Sequence, residues 1–62
     1  MKKVYCVHKD KKAIIVMNKM VAIGIAKKEN AKVHALSYGY YKDCHGVMDL
    51  PTFLTVADEQ VY

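Results

Sequence analysis

Short apolar runs separated by a polar break open the chain, and this pattern is typical of a β-hairpin. Residues 3–8 are rich in β-branched and aromatic side chains and predict a first strand. Residues 9–12 are polar and predict a turn, and residues 13–17 predict a second strand. Because this second run is apolar on both alternating faces, we expect it to lie centrally in a sheet or to be covered on both sides.

Residues 18–32 fit two different elements. In the helical interpretation, Asn18 is the N-cap, residues 20–26 form the buried turns, and Asn30 takes the left-handed position after the last turn. In the strand interpretation, branched residues alternate with small ones over the same segment, with period two. We favour the helix, because an apolar run followed by a lysine-rich segment is a common way for a short helix to leave a core.

The remaining segments complete a mixed pattern. Residues 33–41 predict a strand, 42–50 a loop, 52–56 another short strand, and 57–62 a polar tail or a last half-strand. The predicted fold class is α+β, with the order β-β-α-β-β and a small antiparallel sheet that carries one helix on a face. The alternative is an all-β small five-stranded barrel, in which residues 20–26 form a strand.

The length and composition limit the possible functions. A chain of 62 residues is expected to form one domain, residues 1–62, and has little room for a deep pocket, so most self-contained enzymes are excluded. Hydrophobic residues make up 53% of the chain, which is more than so small a core can hide. We therefore expect an exposed apolar face that contacts another chain, either a second copy or a different protein.

The charge is unevenly distributed along the chain. Residues 1–42 carry +8, from ten Lys against two acidic residues, and residues 43–62 carry −4. All basic residues are Lys, which disfavours base-specific recognition because Arg is the usual reader of guanine. Lysines of the predicted turn and the predicted helix end form a candidate basic patch for nucleic acid or an acidic protein: Lys9, Lys11, Lys12, Lys27 and Lys28. A solvated surface is the simpler interpretation of these charges.

The apolar runs are too short for a membrane span, which needs roughly 18 residues. The basic start of the sequence is not followed by an apolar segment, so no signal peptide is predicted. We therefore expect a cytoplasmic protein without a membrane partner, in which both cysteines are reduced.

Two cysteines and three histidines are the candidates for metal binding or nucleophilic chemistry. Cys6 and His8 share one face of the first strand, and Cys44 and His45 are adjacent in the predicted loop, so the four define a possible zinc set. Their spacing matches no zinc-finger pattern, and a buried Cys6 beside an exposed His8 is the simpler interpretation. Catalytic triads, paired catalytic carboxylates and phosphate-binding glycine loops are not evident. We expect no cofactor and no enzymatic activity.

The tyrosines near the middle of the chain are the most unusual local feature. On the predicted strand, Tyr38 and Tyr40 share one face and Tyr41 lies on the other, beside Lys42. Exposed tyrosines next to a lysine are typical of a protein interface or of a surface that stacks on unpaired bases. These four residues are the predicted partner-binding set, although tyrosines at the margin of a core are the simpler alternative.

The layout of residues 3–37 is similar to that of small accessory proteins encoded by bacteriophages. The likeness runs through Val4-Tyr5-Cys6-Val7, Lys12-Ala13-Ile14-Ile15-Val16, Asn18-Lys19 and Ala26-Lys27-Lys28-Glu29-Asn30-Ala31-Lys32-Val33-His34. It is a likeness of layout and transfers no site residue. It implies a protein in the cytoplasm of a bacterial host that binds a host macromolecule and blocks or redirects it.

These observations favour a small non-catalytic binding protein. The leading expectation is a phage-type inhibitor or adaptor that docks on a host protein, alone or as a homodimer. One alternative is a low-specificity nucleic-acid-binding protein that uses Lys and Tyr, although the acidic segment 43–62 would repel that ligand. The other alternative is a self-assembling structural protein.

Overall fold

The sheet is the centre of the molecule. The computed structural model describes residues 2–46 and 48–62, and Met1 and Val47, the latter inside the predicted 42–50 loop, lie outside the described residues. In this described part of the chain, four strands form one antiparallel sheet in the order β2-β1-β3-β4. The strands are β1 (Lys3–Lys9), β2 (Lys12–Val16), β3 (Lys32–Ser37) and β4 (Glu59–Gln60). The α+β class predicted from the sequence is confirmed, and the described residues form three helices in place of one.

A tight hairpin joins β1 to β2. Lys9 pairs with Lys12, which leaves Asp10 and Lys11 as the connecting residues. Asp10 has φ +55°, in the left-handed region that Asp and Asn tolerate better than most residues. The predicted hairpin is therefore confirmed, but its turn is shorter than the predicted segment 9–12, because Lys9 and Lys12 belong to the strands.

Helix α1 (Lys19–Glu29) forms where the helical interpretation places it. The Asn18 side chain accepts a hydrogen bond from the Val21 N–H at 3.1 Å, and Asn30 closes the helix with φ +55°. The alternative barrel is wrong, because residues 20–26 are helical. Of the helix residues only Ala22 and Ala26 are buried, so the expectation that the whole apolar run forms buried turns is also wrong.

Two further helices replace strands predicted in the second half. The strand predicted over 33–41 ends at Ser37, and α2 (Tyr38–Asp43) follows at once. The strand predicted over 52–56 is the body of α3 (Leu50–Val56). Asp49 caps α3 by accepting a hydrogen bond from the Thr52 N–H at 3.0 Å, and Pro51 lies in its first turn, where a proline suits a helix.

Each face of the sheet carries its own hydrophobic cluster. Odd-numbered residues of β1 point to α1, and even-numbered ones point to α2 and α3. The buried residues on the α1 side are Val7, Ala22, Ala26, Ala31 and Val33. The buried residues on the α3 side are Val4, Cys6, Leu36 and Phe53. The chain thus folds in three layers, with the sheet between α1 and the pair α2 and α3.

Within residues 2–46 and 48–62, no helix is long and apolar enough to cross a bilayer.

Candidate functional site: a free sheet edge

β2 is an edge strand. Among the described residues it pairs with β1 alone, so the expectation that it lies centrally or is covered on both faces is wrong. Ile14 is 48% exposed and Ile15 is 41% exposed, although they point to opposite faces of the sheet. Met17, Met20 and Val21 extend this exposed apolar surface into the first turn of α1. We call this group, Ile14, Ile15, Met17, Met20 and Val21, the β2 edge patch.

Backbone pairing shows which polar groups of β2 are free. The Tyr38 N–H donates to the Lys2 carbonyl at 3.1 Å. Because the N–H and C=O groups of successive strand residues point to opposite sides, the even-numbered residues of β1 bond to β3 and the odd-numbered ones bond to β2. Val7 is paired with Ile14, so Ile14 turns its backbone groups toward β1. Ala13 and Ile15 therefore turn their N–H and C=O groups outward. These groups form a template for another strand.

Lysines stand at both ends of this edge. At the hairpin end lie Lys9, Lys11 and Lys12, with Asp10 offsetting one of their charges. At the opposite end, Lys2 and Lys19 line a depression of about 490 Å³ together with Met17 and Met20. The β2 edge patch is thus apolar, and lysines lie at both ends of the edge.

A cleft of about 710 Å³ separates the hairpin tip from α1. Its apolar lining includes Val7, Ile14 and Ile25, and the Lys9 ammonium closes one side by donating to the Glu29 carbonyl at 3.1 Å. The hairpin tip of the predicted basic patch therefore meets the C-terminal end of α1. Lys27 and Lys28 occupy the last turn of that helix.

The predicted tyrosine set does not form one exposed surface. Tyr38, Tyr40 and Tyr41 lie on α2 and not on a strand, so the predicted division between two strand faces is wrong. Tyr38 and Tyr41 are partly buried against the α3-side cluster, and the Tyr41 hydroxyl donates to the Gly46 carbonyl at 3.3 Å. Tyr40 is largely exposed, and Lys42 is exposed in the same short helix.

The possible zinc set does not assemble. Within residues 2–46 and 48–62, no group of three or more His, Cys, Asp or Glu side chains is placed to hold a metal ion. Cys6 is buried in the α3-side cluster, and this burial raises the pKa of its thiol. Cys44 caps the C-terminal end of α2, and His45 follows it with φ +56°.

His8 instead meets His34 across β1 and β3. The His8 Nε2 and His34 Nδ1 atoms are 2.7 Å apart, a hydrogen-bond distance whose donor depends on the tautomers. Burial lowers the pKa of both imidazoles, and the positive charge of Lys32 lowers it further. His34 is the partner that the zinc set omitted. His34 shares a strand face with Leu36, which the period-two pattern predicts, but its position beside His8 follows only from the pairing register of β1 with β3.

The β2 edge patch was also missed at the level of sequence. The signal was present, because a strand that is apolar on both faces must be covered by something. Comparison with known proteins finds no matching family model, no similar curated protein and no similar solved structure.

Proposed function

We propose that this chain is a non-catalytic protein-binding module that docks its partner by strand addition along β2. One observation supports the proposal above all. Of the eight large hydrophobic side chains exposed in the described residues, five belong to the β2 edge patch: Ile14 and Ile15 flank the unpaired backbone groups of β2, and Met17, Met20 and Val21 follow the strand in sequence. Long, flat apolar edges are normally protected by charges, bulges or prolines, and the centre of β2 has none of these.

The occupant that fits this surface is an extended segment of another protein. Its backbone would bond to the outward groups of Ala13 and Ile15, and its side chains would pack on Ile14 and Ile15 from opposite faces. Covering the exposed half of each isoleucine contributes about 1 kcal/mol per side chain. Because both ends of the edge are basic, the segment that fits has apolar residues in its centre and acidic residues at its ends.

A second copy of this chain fits less well. An antiparallel pair of β2 strands centred on Ile14 would join Ala13 of each copy to Ile15 of the other. That arrangement brings the lysine-rich hairpin tip of one copy to the Lys19 end of the other. Two positive charges about 4 Å apart repel by about 1 kcal/mol even in bulk water. Charge therefore favours an acidic partner over self-pairing.

This proposal agrees with the sequence-based expectation of an inhibitor or adaptor. A module that adds a strand of its partner to its own sheet can occupy that segment and withhold it from other contacts. The resemblance to phage accessory proteins supports a bacterial host protein as the partner.

A matched pair of variants at Ala13 tests strand addition. Ala13→Pro removes the outward N–H while sparing the bonds to β1, a position where an edge strand tolerates proline. Ala13→Val keeps the N–H at the same exposed site. We expect Ala13→Pro to weaken binding of an extended peptide with an apolar centre and acidic ends at least about tenfold, the equivalent of 1.4 kcal/mol. Ala13→Val should bind as the wild type does, measured by fluorescence anisotropy.

A second measurement on the wild-type chain removes any dependence on how the proline variant folds. Peptide binding should slow amide hydrogen exchange at Ala13 and Ile15 more than at Ile14, whose N–H already faces β1. Equal affinity of the two Ala13 variants, both folded by circular dichroism, would overturn the proposal. So would tighter binding of a basic-ended peptide, or binding of single-stranded DNA that is stronger than peptide binding and insensitive to Ala13→Pro.

The natural partner can be sought with the same pair of variants. A protein from nuclease-treated bacterial lysate supports the proposal if Ala13→Val retains it and Ala13→Pro loses it. A protein retained equally by both variants binds elsewhere and would count against strand addition.

A further inference from the structure

The two histidines that face each other across the sheet form a feature that strand addition does not use. His8 lies on β1 and His34 on β3, with side chains on the sheet face opposite α1. Their facing nitrogens, His8 Nε2 and His34 Nδ1, are 2.7 Å apart. The ring centroids are 4.8 Å apart, and the ring planes are inclined by 34°.

Paired strands hold this arrangement in place. The β1 and β3 backbones are joined in register from Lys3↔Ser37 to His8↔Lys32, so both histidines are anchored within the ladder. Both side chains are partly buried, which leaves one side of the pair open to solvent. Preorganised ligands on rigid elements favour metal binding, because less order has to be imposed when the ion arrives.

The spacing of the nitrogens suits one shared ion. With Zn–N bonds of about 2.0–2.1 Å, two ligand nitrogens on one ion lie about 2.9 Å apart at a right angle and about 3.3 Å apart at the tetrahedral angle. The observed pair needs to open by only a few tenths of an ångström and to tilt both rings toward a common point. Neutral imidazole is a ligand for zinc, copper and nickel ions.

We propose that His8 and His34 form a two-histidine site for a divalent transition-metal ion, with water completing the coordination. Binding replaces the hydrogen bond between the rings. The ring that carries its proton on the facing nitrogen changes tautomer: that proton leaves to water, and the other nitrogen of the same ring takes one up. No net proton is released, and both facing lone pairs become free for the ion.

The neighbouring groups determine the affinity of the two-histidine site for a metal ion. Lys32 pairs with His8 in the ladder, and its positive charge acts on both rings, so it opposes a bound cation. With two protein ligands, the ion keeps open positions that water or a donor from another molecule can fill. The chemistry points to an exchangeable ion and not to a closed structural centre.

Zinc titration of the wild-type chain with detection of histidine imidazole resonances by NMR tests the site directly. We expect Zn²⁺ to shift the His8 and His34 resonances together, at a concentration that leaves those of His45 unchanged. In isothermal titration calorimetry, His8→Asn or His34→Asn should weaken this binding at least about tenfold, since loss of even an outer-sphere partner can cost that much.

Two further variants separate the site from other effects. His45→Asn, a matched substitution outside the pair, should bind Zn²⁺ as the wild type does. Lys32→Gln should bind it about two- to threefold more tightly, because a repelling charge is removed. The proposal fails if Zn²⁺ shifts only His45, or if folded His8→Asn and His34→Asn bind like the wild type. It also fails if Lys32→Gln weakens binding. None of these outcomes bears on β2, so strand addition stands or falls separately.

Discussion

Phe53 is the largest of the fully buried side chains. It comes from α3 and closes the α3-side cluster over Val4, Cys6 and Leu36. This one side chain ties the last helix to strands that precede it by more than a dozen residues. The packing of α3 on the sheet therefore depends strongly on it.

Phe53→Ala should be among the most damaging single substitutions in the chain. Removing a buried phenylalanine typically costs about 3–5 kcal/mol, and a domain of this size has a total stability of about 3–9 kcal/mol. Urea denaturation followed by circular dichroism should show the variant largely unfolded or close to it. Leu54→Ala, next to it but 38% exposed, is the control and should cost far less. Equal losses for the two variants would contradict this view of the core.

The capping of α3 makes that helix sensitive to acid. Two hydrogen bonds from Thr52, through its side chain and its backbone, lower the pKa of the Asp49 carboxyl below its ordinary value. A carboxyl group with a lowered pKa stabilises the folded state when ionised. The stabilisation is complete above the pKa of the unfolded chain, about 3.9, and is lost as the pH falls through the lower pKa of the folded state.

Thermal melts from about pH 7 down to about pH 2 test this. The wild type should lose melting temperature as the pH falls, and Asp49→Asn should lose less, because asparagine caps a helix without titrating. The melting temperatures of the wild type and Asp49→Asn should differ most near neutral pH and should converge in acid. A constant difference at every pH would show that Asp49 ionisation contributes nothing.

Local signals explain which elements could be predicted from the sequence. α1 is flanked by Asn18 and Asn30, residues that suit the two ends of a helix, and the prediction there is confirmed. α3 also has a start signal, Asp49 followed by Pro51, but its β-branched residues favoured a strand. α2 has no comparable signal, because glycine and tyrosines are poor helix formers and Tyr41 is held by packing and by its bond to Gly46.

The candidate site was harder to predict for a different reason. An apolar strand pattern shows that both faces of β2 need cover, but it does not show whether the cover comes from the same chain. That depends on where β2 lies in the sheet, which is decided by long-range pairing of β1 with β3. The histidine pair depends on the same register. Hydrophobic periodicity places His8 and His34 on strand faces but does not align them.

Over the whole molecule, the acidic end of the chain folds back onto its basic start. The Lys3 ammonium lies 3.3 Å from the Glu59 carboxylate and 3.9 Å from that of Asp58. Exposed ion pairs of this kind add about 0–1 kcal/mol to the free energy of unfolding. Their larger effect is on charge distribution, since two acidic groups offset charge at the start of β1 and not at the hairpin tip.

The basic ends of β2 predict an unusual salt response. We expect the chain to sediment as a monomer at about 0.1 M salt and to self-associate more at about 1 M, where the Debye length falls to about 3 Å and repulsion between the lysines is screened. Sedimentation velocity at matched protein concentrations measures this. Ala13→Pro should abolish the high-salt species if it forms through β2. A dimer that dissociates as salt is added would show that attraction between charges holds the two copies together.

The two edge strands of the sheet differ in length, and this difference limits how far a β-assembly can extend through this molecule. β2 presents five residues, whereas β4 at the far side has two, Glu59 and Gln60. A molecule that repeats along a β-fibril needs two long free strand edges, one at each side of its sheet, so that it can pair with a neighbour on both sides. The described residues of this molecule supply one, the β2 edge. Any stacked β-assembly that it joins through β2 would end there, with the chain acting as a terminating cap.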